Sequence, residues 1–395
     1  MTQAVIVSAA RTPIAKDNGA LKEVPPEDLA ALVIKAAIQR AGIADPAIID
    51  EVVFGNCFGG LGCIARVALL RAGLPMSIPG IAIDRQCGSG STAVNLAAAM
   101  IQAGAGRVYV AGGVESMTRA PYLMEKPPIA YQREPPHFIH PPQLTPGEMG
   151  NPAMGITAET VAERWNISRE EQDEFATYSQ MKAARALTEG RFNEQIAPVS
   201  LPQKKGAPII FDTDEHPRPT VTREQLAKLA PAFKPGGTVT AGNSSAFNDG
   251  AGALVLMSDE QTADFGIKPM AVVKGFASVG VDPHLMGIGP VPATRKLLER
   301  TGLTIADLDV IELNEAFASQ SIACCRDLEI DWRNRDCDKL NPNGGAIALG
   351  HPIAASLAIL IIKAIYELAR RQGRFGLITA CVGGGQGIAT LVERV

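Results

Sequence analysis

The chain contains an internal duplication. Residues 29–56 read as an amphipathic helix, a glycine stop, a polar turn and a short apolar strand that ends at Asn56, and residues 293–315 repeat this order up to Asn314. After each strand comes a turn of small residues with one reactive side chain, Cys87 in QCGSG and His351 in LGHPIAAS, followed by an apolar helix. A repeat of this length predicts two halves of similar fold.

The order strand, helix, strand predicts an α/β fold. Long crossovers between strands indicate parallel pairing, and strands that are apolar throughout indicate helices on both faces of the sheet. We predict a first half from residues 1–120 plus 238–268 and a second half from residues 269–395. Because sites in such sheets lie beyond the carboxyl ends of strands, equivalent ends of the two halves could face one another.

Residues 121–237 interrupt the repeat and are rich in proline and charge. We predict that they form an inserted loop domain. It contains one clear helical hairpin, TAETVAERWNISREEQDEFATYSQMKAARALTEGRF, in which Ser168 and Glu171 match a capping box for the second helix.

Charge and composition exclude several classes of partner. A net charge of -4 over 395 residues gives no field that would attract nucleic acid or an anionic membrane. No apolar run reaches the ~18 residues that a bilayer span needs. The seven cysteines form neither a disulfide-like framework nor a C-x-x-C pair. We therefore expect a cytoplasmic protein with reduced thiols.

Cys87 is a candidate nucleophile. It opens a predicted helix whose free N–H groups favour a thiolate, and the glycines that follow would let a substrate carbonyl approach the backbone. A buried structural cysteine explains the same residue about equally well, since free cysteines are mostly small core residues.

His351 and Cys381 are candidate partners of Cys87. His351 precedes a proline, which suits the first turn of a helix, and it occupies the place in the second half that Cys87 has in the first. Such a pair can form a thiolate at neutral pH. Cys381, before VGGGQG, is either a packing residue or a proton carrier beside the backbone N–H of Gly383. The spacings of Cys and His favour no metal site, and the glycine runs do not match a dinucleotide fingerprint.

Taken together, these motifs resemble the thiolase family along essentially the whole chain. The resemblance is carried by VIVSAARTPI, QCGSG, VAGGVESMTRAPY, MGITAE, TAGNSSAFNDGAGALVLMS, GVDPHLMGIGPVPATR, NEAFA, NPNGGAIALGHP and CVGGGQG. It implies duplicated βαβαβαββ halves in a five-layer α-β-α-β-α arrangement, with an inserted loop domain that binds coenzyme A (CoA). It also implies a reversible condensation of two acyl-CoA molecules, or thiolysis of a 3-ketoacyl-CoA.

The resemblance implies a role for each matched residue. Cys87 would carry the acyl group, and His351 would take its proton. His351 would also stabilise the oxyanion or enolate of the incoming acetyl-CoA, together with a water held by Asn314. Cys381 would remove the α-proton of that acetyl-CoA. The N–H groups of Cys87 and Gly383 would form a second oxyanion hole.

The same resemblance implies how the substrates are held. CoA and acyl-CoA would be substrates, with no cofactor and no metal, and the chain would form a homodimer or homotetramer. Matched residues would meet CoA or line the acyl pocket: Arg218, Phe233 and Ser245, and Met154, Met286 and Phe317. From the residues alone, the aromatic and methionine side chains could equally be core and Arg218 a solvated charge.

This chain departs from the family pattern at a few positions. Ala354 and Leu357 stand where the histidine motif usually has glycine, so we expect added bulk behind His351. Ala153 replaces a histidine that is common in biosynthetic thiolases, which weakens an acetyl-specific assignment.

The leading hypothesis is an acetyl-CoA acetyltransferase, and the nearest alternative is a 3-ketoacyl-CoA thiolase of fatty-acid degradation. A CoA-binding protein with impaired catalysis is a third hypothesis. A fatty-acid condensing enzyme is disfavoured, because it would normally have histidine or asparagine at the position of Cys381.

Overall fold

The computed structural model describes residues 2–59, 62–127, 135, 137–139 and 143–395. The strands, numbered in chain order, are β1 Ala4–Arg11, β2 Ala15–Lys16, β3 Glu51–Gly55, β4 Gly80–Ile83, β5 Val108–Ser116, β6 Leu123–Met124, β7 Phe138–Ile139, β8 Val199–Leu201, β9 Ile209–Phe211, β10 Asn248–Ser258, β11 Ala271–Gly280, β12 Val310–Leu313, β13 Phe375–Val382 and β14 Gln386–Arg394. The helices are α1 Pro26–Arg40, α2 Ile64–Arg71, α3 Ser89–Gln102, α4 Met154–Arg164, α5 Arg169–Thr188, α6 Arg223–Leu226, α7 Asp259–Phe265, α8 Pro290–Thr301, α9 Ala318–Asp327, α10 Ala346–Leu349 and α11 Ser356–Arg371.

The duplicated helices begin and end as their sequences predict. Both α1 and α8 have proline in their first turn, where its missing N–H would be unpaired in any case. Each is followed by a glycine in the left-handed conformation, Gly42 with φ +70° and Gly302 with φ +69°. Glycine adopts this conformation without steric cost, so the predicted stop is confirmed in both copies.

The duplication is visible in the strand order, which is β12-β13-β14-β11-β1-β10-β5-β3-β4, with β2 paired to β10. The first half supplies β1-β10-β5-β3-β4, and β11-β14-β13-β12 repeats its first four positions. The halves meet at β1 and β11, where Val5 pairs with Val272 and Ile6 with Ala271. The predicted two similar α/β halves are therefore confirmed, and a short seam joins their sheets.

The expectation of parallel pairing was only partly right. The β3–β4, β3–β5 and β12–β13 pairs are parallel, but β10 and β14 run antiparallel to both of their sheet neighbours. The reason in the second half is the connection itself. Residues 383–385 alone join β13 to β14, and a link this short can only make a hairpin.

Five layers follow from which face of each strand packs against which helices. In β10, Val255 packs with α1 and α2, whereas its neighbour Leu254 packs with α3 and α11. In β13, Ile378 joins that same cluster around α3 and α11, and Leu377 faces α8 and α9. Helices α3 and α11 thus lie between the two half-sheets. This confirms the α-β-α-β-α arrangement.

Residues 121–237 contain β6 to β9 and α4 to α6. The predicted hairpin is present as α4 and α5, and the Oγ of Ser168 accepts the N–H of Glu171 at 3.2 Å. The capping box is only half formed, because the Glu171 carboxylate pairs instead with Arg326 and Arg333. We retain the three-part division of the chain as a proposal.

Part of the proline-rich stretch between Pro127 and Pro152 lies outside the described residues. Within the described part of the chain, no helix is both long and apolar enough to cross a membrane.

Candidate active site

Cys87 lies in a tight turn that precedes α3. Residues 86–88 form one 3₁₀ turn, and the α-helix begins at Ser89. The sequence predicted that Cys87 would open this helix, so the helix begins two residues later than predicted. The Oγ of Ser89 accepts the N–H of Arg85 at 2.8 Å and donates to the carbonyl of Gln86 at 2.7 Å. Gln86 has φ +45°, a left-handed conformation that a non-glycine residue adopts at some cost. The surrounding contacts therefore hold a strained turn that presents Cys87.

His351 lies between α10 and α11, not in the first turn of a helix as predicted. Pro352 follows it, and the chain turns before α11 begins at Ser356. The backbone N–H of His351 donates to the side chain of Asn248 at 2.9 Å. Its ring is held at both nitrogens, with Nε2 3.2 Å from the Sγ of Cys87 and Nδ1 2.6 Å from the Oγ of Ser356. The structure thus places the two predicted residues in direct contact.

Burial moves the pKa values of this pair in opposite directions. It lowers the pKa of His351 to about 4 and raises the pKa of Cys87 to about 11. Backbone N–H groups of Gly383 and of Cys87 itself lie near the sulfur and partly oppose the rise. Both shifts favour a neutral thiol beside a neutral imidazole. The resting thiolate that the sequence predicted is therefore disfavoured.

Three further predicted residues lie around this pair. The backbone N–H of Gly383 lies near the Cys87 sulfur, as described above. The Nδ2 of Asn314 is 3.5 Å from the Nε2 of His351, and its Oδ1 is buried without a hydrogen-bond partner among the described residues. Cys381 is buried at the end of β13, and burial raises the pKa of its thiol well above the ordinary value; an ionised Cys87 would raise it further.

The residues predicted for the acyl pocket lie together in one apolar cluster. Met154, Met286 and Phe317 pack with Cys381 and with Ala158, Val239 and Ala316. The ring of Phe233, half exposed, meets Phe317 edge-on with centroids 6.0 Å apart. It also covers Gly155, where a Cβ would lie 2.2 Å from the ring. An apolar acyl chain would thus find apolar walls beside the second cysteine.

Arg218 and Ser245 are positioned differently from each other. The backbone of Ser245 donates to Ala316, a member of the apolar cluster, at 2.9 Å. Arg218 lies on a separate small cleft, which is also lined by Gln180, His216, Val221, Leu226, Ala241, Gly242 and Ile347. The structure therefore groups Ser245 and Phe233 with the acyl pocket and places Arg218 at a cleft of its own.

Models of two protein domains match this sequence. The thiolase N-terminal domain matches residues 4–260, and the thiolase C-terminal domain matches residues 267–394. Together they cover nearly all of the chain. The chain belongs to the thiolase family.

Characterised thiolases align with it over their full length. An acetyl-CoA acetyltransferase of Syntrophomonas wolfei is 48% identical, over 99% of each chain. The 3-oxoadipyl-CoA/3-oxo-5,6-dehydrosuberyl-CoA thiolase of Escherichia coli is 46% identical over 100% of each chain. The crystal structure of the Bacillus anthracis acetyl-CoA acetyltransferase is similar, with a TM-score of 0.93 and 41% identity over 100% of this chain and 99% of that one. These comparisons support an acyl-CoA C-acyltransferase of the thiolase type.

The two residues that replace the usual thiolase glycines are accommodated without separating the catalytic pair. Ala354 is buried where two glycines leave room, since a Cβ on Gly90 or Gly113 would approach its carbonyl oxygen to 2.8 Å or 2.2 Å. Leu357 is buried in the core between α3 and α11. The expected bulk is therefore taken up by the helix packing, and His351 still reaches Cys87.

Sequence reasoning missed several residues that this thiolase site uses. Ser356 holds the far nitrogen of His351, and its signal was a hydroxyl five residues after the histidine in an otherwise apolar run. Leu144 lies against the oxyanion turn, where a Cβ on Gly383 would meet its side chain at 2.9 Å. Glu115 accepts hydrogen bonds from residues 56–58, which touch the Cys87 turn, and from Ala354 in the turn after His351. Nothing local in the sequence marks Leu144 or Glu115.

No group of three or more His, Cys, Asp or Glu side chains that could hold a metal ion occurs among the residues that the structure describes.

Proposed function

We propose that the protein is an acetyl-CoA C-acetyltransferase. It would condense two molecules of acetyl-CoA to acetoacetyl-CoA and CoA, or run the reverse thiolysis, through an acyl-Cys87 intermediate. The observation that carries the proposal is the 3.2 Å contact between the Nε2 of His351 and the Sγ of Cys87. A nucleophile within hydrogen-bond reach of its base, with backbone donors beside the reacting sulfur, is the arrangement that acyl transfer requires.

The first half-reaction is acylation of Cys87. His351 takes the thiol proton, and the thiolate attacks the acyl-CoA carbonyl. The N–H groups of Cys87 and Gly383, both near the sulfur, would stabilise the oxyanion that develops. The carbon–sulfur bond to CoA then breaks, and the leaving CoA thiolate takes the proton of Cys381. Acyl-Cys87, a protonated His351 and a Cys381 thiolate remain.

The second half-reaction forms the carbon–carbon bond. The Cys381 thiolate removes an α-proton from a second acetyl-CoA, and its burial makes it a strong base for this weak acid. The enolate oxygen accepts hydrogen bonds from His351 and from a water held by Asn314. The enolate carbon attacks acyl-Cys87, and the released thiolate regains the proton of His351. Every group returns to its starting protonation state.

Substrate binding follows from where the predicted contacts lie. Phe233 and Ser245 border the apolar cluster, so we assign them to the pantetheine arm and the acyl end of CoA. Arg218 lines the separate cleft and would meet the nucleotide end. Met154, Met286 and Phe317 would contact the acyl group. CoA and acyl-CoA are substrates in this scheme, and no cofactor takes part.

The choice of acyl group has a second candidate. Relatives 44–48% identical are named β-ketoadipyl-CoA thiolase, which favours an acyl chain that ends in a carboxylate. The walls around Cys381 favour the acetyl assignment, because burying a carboxylate among apolar side chains without a partner is costly. A 3-ketoacyl-CoA thiolase of fatty-acid degradation would use the same catalytic residues with a longer pocket.

Intact mass spectrometry after incubation with acetyl-CoA tests the reaction. We expect one acetyl adduct on the wild type and none on Cys87→Ala. No adduct on the wild type, or an equal adduct on the variant, would overturn the proposal and favour a CoA-binding protein with impaired catalysis.

A series of thiolysis substrates tests the acyl group. We expect acetoacetyl-CoA to be cleaved with the highest kcat/KM. Faster cleavage of 3-ketoadipyl-CoA would support the second candidate, and faster cleavage of medium- or long-chain 3-ketoacyl-CoA would support the fatty-acid enzyme.

Assembly and location stay predictions. We propose a homodimer or homotetramer that acts in the cytoplasm, and light scattering of the purified protein would give the number of subunits.

A further inference from the structure

Glu115, in β5, is a fully buried carboxylate with four hydrogen-bond donors around it. Its Oε1 accepts the side-chain amide of Asn56 at 3.0 Å and the N–H of Phe58 at 3.1 Å. Its Oε2 accepts the N–H of Cys57 at 3.1 Å and the N–H of Ala354 at 3.2 Å. The scheme proposed above gives this residue no role, yet both of its oxygens are fully engaged.

Three of these donors belong to residues 56–58, a segment that touches the Cys87 turn. The Sγ of Cys57 lies 3.5 Å from the Oγ of Ser89 and 3.3 Å from the Oδ1 of Asp84. Both partners shape the turn, because Ser89 closes it and Asp84 accepts the N–H of Gln86 at 2.8 Å. Glu115 therefore fixes residues 56–58, which in turn contact the Cys87 turn.

The fourth donor belongs to the other half of the chain. Ala354 lies three residues after His351, in the turn that leads into α11. Its N–H is directed at the same Oε2 that accepts from Cys57. The Glu115 carboxylate thus links residues 56–58, which contact the Cys87 turn, to the turn that follows His351.

All four partners of Glu115 are donors, so an acceptor-only group is needed to satisfy them. We propose that Glu115 is a positioning residue that sets the placement of the Cys87 turn relative to the His351 turn. The inference rests on the proposed function, since it concerns the geometry of that catalytic pair. It assigns Glu115 no contact with substrate.

The charge of Glu115 and its hydrogen bonds have opposite effects on how easily the Cys87 thiolate forms. Burial raises the pKa of Glu115 to about 7. In its ionised form, its negative charge raises the pKa of Cys87, as does that of Asp84. Removal of the Glu115 charge alone would therefore make the Cys87 thiolate easier to form. Loss of the contact with His351 would make it harder to form. The sign of the change in Cys87 reactivity separates the two effects.

Glu115→Gln is the test variant, because the amide keeps the size but must direct its NH2 group at donors. Asp336→Asn is the matched control. Asp336 is also a buried carboxylate, but it accepts the N–H of Asp331 and pairs with Lys339. Two rates are measured at fixed pH: acetylation of Cys87 by acetyl-CoA, and its alkylation by iodoacetamide, each followed by intact mass. Thermal midpoints are measured alongside.

We expect Glu115→Gln to slow acetylation by about tenfold or more, because general-base assistance is typically worth ~10²–10⁴-fold. Alkylation should also become slower, and the acetyl-CoA concentration for half-maximal rate should change by less than about twofold. Asp336→Asn should keep both rates near wild type even where its thermal midpoint falls.

Unchanged or faster alkylation of Glu115→Gln would overturn the positioning role. Equal losses of rate in Asp336→Asn would overturn it as well, since general destabilisation would then explain the effect. Alkylation needs no acyl-CoA. If the wild type forms no acetyl adduct, the proposed function fails while the alkylation rates still decide the role of Glu115.

Discussion

The Oγ of Ser356 lies 2.6 Å from the Nδ1 of His351, on the side of the ring opposite Cys87. This contact lets Nδ1 carry the hydrogen and donate it to Ser356. The lone pair on Nε2 is then free to accept the proton of Cys87. A hydroxyl in the first turn of α11 thus holds the ring and is compatible with the tautomer that the proposed base needs.

Ser356→Ala should therefore slow acetylation of Cys87 by about tenfold, with little change in acetyl-CoA affinity, because a misoriented base loses part of its ~10²–10⁴-fold effect. The measurement is the single-turnover rate of adduct formation. Ser258→Ala is the control, since Ser258 caps α7 and should affect stability only, by ~1 kcal/mol. A wild-type acetylation rate in Ser356→Ala would show that the contact with Ser356 is not what orients the ring.

Cys381→Ala should separate the two half-reactions. Acetyl-Cys87 should still form, because Cys381 enters the first step only by protonating the leaving thiolate, for which solvent can substitute. Acetoacetyl-CoA formation should fall by ~10²–10⁴-fold, since the α-proton then has no base. Intact mass reports the adduct, and product absorbance reports condensation. Condensation at a rate near wild type would assign proton removal to another group.

Replacing His216 should change how stability depends on pH. Burial, with the charges of Arg218 and Lys16, lowers the pKa of His216 from 6.5 to about 4. Between these values the unfolded chain binds a proton that the folded chain does not, so stability is lost as pH falls from 6.5 toward 4. His216→Asn removes this loss. The stability advantage of wild type over the variant should thus shrink by ~1–2 kcal/mol between pH 8 and pH 5.

Urea unfolding at each pH measures that difference. Ser258→Ala is the control, because serine does not titrate in this range, and its difference from wild type should stay constant. A constant difference for His216→Asn as well would mean that the buried ring is not held neutral.

Gly90→Ala should push α3 away from α11. A Cβ at this position would lie 2.8 Å from the carbonyl oxygen of Ala354 and 2.8 Å from the backbone nitrogen of Ala358, so backbone must move. Overpacking of this kind typically costs ~1–3 kcal/mol. Acetylation should slow too, because Ala354 belongs to the His351 turn. Gly280→Ala, where a Cβ would meet nothing within 4 Å, should be nearly neutral. Equal stability of the two variants would contradict the close approach.

Local sequence patterns were enough to predict the halves and to pair Cys87 with His351. The repeat indicates where the two residues fall, because each precedes an apolar helix, α3 or α11, that packs between the half-sheets. The glycine stops Gly42 and Gly302 have the left-handed φ that makes them effective. These features depend on short-range chemistry, which a sequence displays directly.

Features that depend on distant contacts could not be predicted in this way. Glu115 is one residue of an apolar strand, and its four donors come from Asn56 to Phe58 and from Ala354. The protonation state of Cys87 was predicted wrongly from the helix terminus alone, because burial outweighs that effect. The antiparallel runs of β10 and β14 depend on how each half closes, which periodicity does not reveal.

The seam between β1 and β11 pairs only Val5 with Val272 and Ile6 with Ala271 within those strands. A chain cut between Gly266 and Met270 would yield one fragment with Cys87 and another with His351, Cys381 and Gly383. Neither fragment could then transfer an acyl group by itself, and the packing of α3 on α11 would have to bring the two together. Enzyme turnover would then report directly that the two fragments have assembled, so the fold could be used as a split-protein reporter.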